Sequence, residues 1–152
     1  MGRNEMSQTR RRAWLVAVVW SLAGIGFFVA FFSGGGAGEF DTDSGRHLVA
    51  ALFIGLGFLG WWIGLWVTRS RDGEILADER DLHTIARAGQ ATLVVVCVAI
   101  FAITVGLWSF YEGSGAVPVG WMWFVAYTTV ILATVTHALA ILVLDGRVGG
   151  RG

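Results

Sequence analysis

Two groups of side chains in this chain are of types that could do chemistry: a histidine inside an apolar run and a short acidic cluster. His137 lies within residues 119–144, a run without Asp, Glu, Lys or Arg. Imidazole titrates near neutral pH and binds metals, so an ionisable group in such a run is by default a functional candidate. Asp78, Glu79 and Asp81 stand within four residues, and carboxylates so close together can attract a divalent cation.

We favour a structural role for His137. It shares a helical face with Ala133 and Ala140, and it stands seven residues before Leu144, roughly 10 Å from the end of the run. If the four runs cross the membrane side by side, the other three place these residues at the same depth as His137: Trp20, Ser21, Trp61, Trp62 and Val95. A neutral histidine that hydrogen-bonds a hydroxyl or backbone carbonyl and packs on Trp fits this setting. No run contains an acid or second histidine to continue a proton relay or complete a metal site.

The acidic cluster also has a simpler explanation. Asp78 is well placed as a helix N-cap, and Glu79 and Asp81 fall in the first turn, where the helix dipole favours negative charge. We therefore predict no metal, no cofactor and no catalytic residue.

Composition excludes several classes of protein. There is no Lys, which removes lysine Schiff bases and P-loop lysines. The single cysteine, Cys97, excludes disulfide frameworks and multi-cysteine metal sites within one chain. A formal net charge of zero argues against a nucleic-acid partner. We predict that the protein is not an enzyme.

The candidate side chains must be positioned by helices, because four long uncharged runs make up most of the chain. They span about 13–32, 48–68, 88–111 and 119–144, and about 20 apolar residues cross a hydrocarbon core of roughly 30 Å. We predict an all-α polytopic membrane protein, a single domain of four transmembrane helices in an up-down-up-down bundle. The first run also resembles a cleaved signal peptide, but its length and the lack of a clear cleavage site favour a retained helix.

The arginines predict the orientation. Residues 1–12 form a basic amino-terminal segment, and 145–152 are predicted to be a disordered tail. With four crossings, ten arginines fall on one side of the membrane and only Arg46 on the other. Those on the first side are Arg3, Arg10, Arg11, Arg12, Arg69, Arg71, Arg80, Arg87, Arg147 and Arg151. This bias predicts that both termini and the central segment, residues 69–87, are cytoplasmic in a plasma membrane.

Small residues predict how the helices pack, because close approach drives helix association in lipid. Each run has one such face. The faces contain Ala17, Ser21 and Gly24; Gly57, Gly60 and Gly64; Ala88, Val95, Ala99, Ala102 and Gly106; and Ala126, Thr129, Ala133, His137 and Ala140. Gly60-x-x-x-Gly64 in particular predicts a tight crossing.

The central segment is predicted to join the third run without a break. The helical period continues from Leu82 and Ile85 into the run, and no Pro intervenes, so residues 78–87 should extend the helix beyond the membrane. Its Leu82/Ile85 side needs a cover, which neighbouring helices, lipid headgroups or a partner protein could provide.

The same stretch carries a short motif: Asp78, Glu79 and Arg80, then Ile85 five residues after the arginine, then the small residue Ala88. In this motif and its layout the chain resembles an uncharacterised family of small prokaryotic four-helix membrane proteins, a domain of unknown function with an Asp-Glu-Arg triplet in its central cytoplasmic loop. The resemblance implies a four-helix membrane topology with a central cytoplasmic loop, and a bacterial or archaeal origin. It implies no activity, substrate or catalytic residue.

Two functional hypotheses follow. The first is a non-enzymatic assembly or regulatory protein that contacts a protein partner, or a second copy of itself, through Asp78, Glu79 and Arg80 and the Leu82/Ile85 side. The alternative is a small transporter or channel subunit with a path near His137 and hydroxyls such as Thr129. In both hypotheses the protein is embedded in the lipid bilayer, which is its main partner.

Overall fold

The described residues are all helical apart from short connections. The computed structural model describes residues 8–67 and 79–149, and the side chains of 9–66 and 82–146. Five helices follow in chain order. They are α1 (Gln8–Phe32), α2 (Ala37–Phe40), α3 (Ser44–Val67), α4 (Glu79–Tyr111) and α5 (Gly120–Gly149). The described part of the chain contains no strand.

The four long helices are each long and apolar enough to cross a membrane. The spans with this property are Thr9–Phe32, Ser44–Trp66, Leu82–Tyr111 and Gly120–Gly146. Each span continues past its predicted uncharged run at one end. Adding a residue to an existing helix costs much less free energy than nucleating a new one. The protein is therefore all-α, with the character of a multi-pass membrane protein.

Two helical segments were not predicted, whereas the predicted continuous helix from the central segment into the third run is confirmed. α5 continues to Gly149, five residues into the segment predicted to be a disordered tail. The loop after α1 contains the short helix α2, whose Ala37 and Phe40 are buried. α4 is one helix of 33 residues that begins at Glu79, whereas Asp78, the predicted N-cap, lies outside the described residues.

The helices pack in the order α3, α1, α5, α4. α1 packs along both α3 and α5, and α5 also packs along α4, whereas α3 and α4 scarcely meet among the described residues. Contacting pairs run in opposite chain directions: Phe27 meets Tyr127, and Phe31 meets Phe124. The described part of the chain is therefore open between α3 and α4.

Aromatic residues of α1 form the centre of the structure. Trp20, Phe27 and Phe31 are fully buried, and α2 adds Phe40, which packs on Phe31 with ring centroids 4.8 Å apart. α4 is the opposite case: of its described side chains, residues 82–111, only that of Ala88 is buried. We call the end that carries the start of α1 and α4 and the end of α3 and α5 the arginine-rich end.

The small-residue faces are only partly as predicted. Ala17 and Gly24 of α1 are buried, but Ser21 is exposed. Ala88 of α4 is buried, whereas Val95 and Gly106 are exposed. The reason is that α4 packs on α5 through a different row of side chains from the predicted one. That row contains Ala88, Thr92, Val96, Ala99 and Ile103.

The two glycines of Gly60-x-x-x-Gly64 are not equivalent. A Cβ on Gly60 would lie 2.8 Å from Cγ1 of Val19, but one on Gly64 would meet no atom within 4 Å among the described residues. Gly60→Ala is expected to lower the free energy of unfolding by about 1 kcal/mol, because Val19 must move. Gly64→Ala, the matched control, should stay within about 0.5 kcal/mol of the parent. Unfolding by SDS in mixed micelles would measure both, and equal losses would contradict the one-sided contact.

Candidate functional site

His137 lies on α5 where that helix faces α4. Its side chain is partly buried, and its Nδ1 is 3.5 Å from Oγ1 of Thr92 on α4, at the long end of hydrogen-bond distances. Thr92 stands four residues after the buried Ala88, on the row that α4 turns toward α5. The helical period of α4 therefore places the hydroxyl next to the imidazole.

The hydrogen bond of Thr92 to its own helix limits how it can interact with His137. Thr92 Oγ1 donates its only hydrogen to the Ala88 carbonyl oxygen at 2.7 Å, so it can only accept from the ring. The neutral tautomer that fits this arrangement carries its hydrogen on Nδ1 and has a lone pair on Nε2. In that tautomer Nε2 can accept a hydrogen from a ligand.

His137 lines a cavity of about 500 Å³ near the arginine-rich end. All four long helices contribute to its wall, and the cavity reaches the open side between α3 and α4. Its volume lies in the range of pockets that hold small molecules, roughly 300–1,000 Å³.

The cavity combines an apolar wall with a few polar groups. Val16, Trp61 and Leu65 are among its apolar residues, and Arg12 of α1 and Thr134 of α5 add polar side chains. A guanidinium stays charged in proteins, so Arg12 gives the wall a cation. The hydroxyl of Thr134 donates to the Val130 carbonyl oxygen at 2.8 Å and, like that of Thr92, offers a ligand only lone pairs.

The structure separates the residues that the sequence singled out. His137 and Ile85 line the same cavity, whereas Leu82 is 57% exposed. Glu79 and Arg80 begin α4, but their side chains, like the whole of Asp78, lie outside the described part of the chain. Of the neighbours expected for His137, only Trp61 shares its cavity; Trp62 is largely exposed.

Sequence reasoning missed Thr92, Thr134 and Arg12 as wall residues. A signal for Thr92 was present, since it stands four residues after Ala88 and is a hydroxyl residue in an apolar run. Arg12 was explained by orientation alone, and the sequence contains no sign that it and His137 line one cavity, because they stand 125 residues apart.

A second, smaller cavity lies at the opposite end, between α2, α3 and α5. It holds about 300 Å³, and its aromatic wall includes Phe40, His47 and Trp123. The imidazole of His47 packs edge-on against Phe40 with ring centroids 4.6 Å apart, and its Nε2 is buried without a hydrogen-bond partner among the described residues. This cavity has no charged wall residue, so the larger one is the better candidate site.

Within residues 8–67 and 79–149, no three or more His, Cys, Asp or Glu side chains are close enough together to hold a metal ion. The polar groups of the larger cavity are hydrogen-bonding groups and one cation. They are suited to binding an organic molecule.

Comparison of the chain with protein-family models, with curated proteins and with solved structures finds no match. The function is therefore inferred from the geometry of the chain itself.

Proposed function

We propose that this protein is a non-enzymatic regulatory or assembly protein of a cell membrane that binds a small molecule in the cavity around His137. The observation that carries this proposal is the cavity of about 500 Å³, with one cation and one available histidine nitrogen in an otherwise mostly apolar wall. Such a wall binds an apolar body and orients it through a few polar contacts.

The cavity connects binding to the central segment. Ile85 lies in the cavity wall, two turns after the start of α4 at Glu79. A bound molecule that contacts Ile85 would hold the first turns of α4 in one position, and the Asp78–Arg80 motif directly precedes or begins those turns. Occupancy of the cavity would then control contacts of the central segment with a protein partner or a second copy of the chain.

Native mass spectrometry after gentle extraction tests the binding step. Ala133 lines the cavity, and Ala126, on the same helix, is exposed and does not. We expect the parent protein and Ala126→Trp to carry a bound small molecule, and Ala133→Trp to lose it because the indole fills the cavity. Equal ligand content in both variants would refute the binding site.

Charge reversal tests the contact step. Glu79→Arg and Arg80→Glu are expected to change the oligomeric state or the set of co-purified proteins while the cavity keeps its bound molecule. If both variants retain every partner and oligomeric contact, the assembly role is excluded and only ligand binding remains.

We also propose an orientation with up-down-up-down crossings and the arginine-rich end in the cytoplasm of a prokaryotic cell, where the plasma membrane surrounds the protein. Ten of eleven arginines support this side, and the family resemblance supports the origin. In a Cys97→Ser background, Ser114→Cys should react with a membrane-impermeant maleimide in intact cells, whereas Gly146→Cys should react only after lysis. The reverse pattern would invert the orientation.

A transporter or channel subunit is the second candidate, because His137 lines a cavity at one end while another cavity exists at the other. The fully buried side chains of Trp20, Phe27 and Phe31 occupy the core, so a path would require a rearrangement. Thr129 is not in the wall of either cavity. Proton-coupled flux in reconstituted vesicles that is lost in His137→Phe would favour this candidate over regulated binding.

A further inference from the structure

We infer that the molecule bound around His137 is a single-chain carboxylic acid with a long alkyl tail, an inference that rests on the binding function proposed above. Three features of the cavity carry it: the hydrogen-bonding groups in its wall, its apolar surface, and its open side between α3 and α4.

The hydrogen-bonding groups favour a carboxyl head. Nε2 of His137 can accept one hydrogen, and Arg12 can donate several. A carboxyl group supplies both complements, since its O–H donates to Nε2 and its carbonyl oxygen accepts from the guanidinium. Arg12 can hold the carboxyl oxygens through parallel N–H donors.

The same groups disfavour a phosphate. Thr92 and Thr134 have used their hydroxyl hydrogens on backbone carbonyls, so neither can donate to the further oxygens of a phosphoryl group. Arg12 has an interaction elsewhere as well, and its five donors allow it to hold a carboxylate along one edge while keeping that interaction.

The apolar wall and the open side favour one alkyl chain. Trp61 and Leu65 of α3 and Ile85 of α4 all line the cavity, and among the described residues α3 and α4 make no extensive contact that would close it. A chain could therefore enter sideways from the lipid and lie between these two helices. A volume of about 500 Å³ is in the range for one drug-sized molecule, which fits a single tail better than the two tails of a phospholipid.

Photolabelling in phosphatidylcholine nanodiscs tests the inference. The probe is an 18-carbon fatty acid with a diazirine in mid-chain, and its control is the 18-carbon alcohol with the same diazirine. We expect the acid to label peptides that contain Trp61, Leu65 or Ile85 at least tenfold more than the alcohol does. Arg12→Gln and His137→Phe should each reduce acid labelling about tenfold, because each removes one hydrogen-bonding group that holds the carboxyl head.

Arg11→Gln is the matched control, since Arg11 is the exposed neighbour of Arg12 and does not line the cavity; its labelling should equal that of the parent. Equal labelling by acid and alcohol within the cavity would overturn the carboxylic acid while leaving the binding function intact. Displacement of the acid by phosphatidylglycerol in the nanodisc would instead assign the site to a phospholipid head and overturn the inference. If neither probe labels the cavity, the inference fails, and the Ala133→Trp ligand measurement separately decides the proposed function.

Discussion

Trp20→Ala is expected to lower the free energy of unfolding by about 3–5 kcal/mol, the usual cost of deleting a large buried aromatic side chain. Trp20 is fully buried in the contact of α1 with α3. Its ring packs edge-on against Phe58 with centroids 5.0 Å apart, and a Cβ on Gly57 would lie 3.2 Å from it. Lipid tails are as apolar as the core, so the loss comes from packing contacts and the empty space left behind.

SDS-driven unfolding in mixed micelles would measure this loss. Trp62→Ala is the matched control, because Trp62 lies on α3, the helix that packs against Trp20, but is itself 70% exposed. It should change the free energy of unfolding by about 0.5 kcal/mol or less. Trp20→Phe should lose less than Trp20→Ala, since it keeps a ring and removes an indole Nε1 that has no hydrogen-bond partner among the described residues. Similar losses in Trp20→Ala and Trp62→Ala would show that the α1–α3 contact does not stabilise the fold.

Gly120→Ala is expected to cost about 1–3 kcal/mol, even though alanine is the better helix former. Gly120 begins α5, and a Cβ there would overlap the backbone carbonyl oxygen of Ala37. A backbone atom cannot rotate away as a side chain does, so α2 would have to move as a unit. That movement would pull Phe40 away from Phe31, which it contacts in the core.

Gly106→Ala tests whether this cost comes from the contact. Gly106 is exposed on α4, and an added Cβ would meet no atom within 4 Å in the described structure. This substitution should be neutral or raise stability by up to about 1 kcal/mol through helix propensity. If Gly120→Ala is as stable as Gly106→Ala in the same unfolding assay, the close approach of α2 to α5 is not needed for stability.

The glycines of α3 and the packing face of α4 show how far the sequence predicts helix contacts. The glycines of α3 were expected to be packing positions, and Gly57 and Gly60 do contact α1. A Cβ on Gly64 would meet no described atom within 4 Å. On α4, Thr92 and Val96 are partly buried, whereas Val95 is exposed. A helix in lipid can be apolar on every side, so the pattern of apolar residues does not mark the face that packs.

The sequence by itself determined that the chain contains four long apolar helices, since run length and the absence of charge suffice for that. It also singled out His137 as an ionisable side chain inside an apolar run. Only the tertiary structure decided that α3 and α4 scarcely meet among the described residues, and that His137, Thr92, Arg12 and Ile85 line one cavity. The physical reason is that helix order depends on side-chain shape at close contacts, such as Trp20 against Gly57. Shape complementarity between residues far apart in the chain leaves no periodic signal in the sequence.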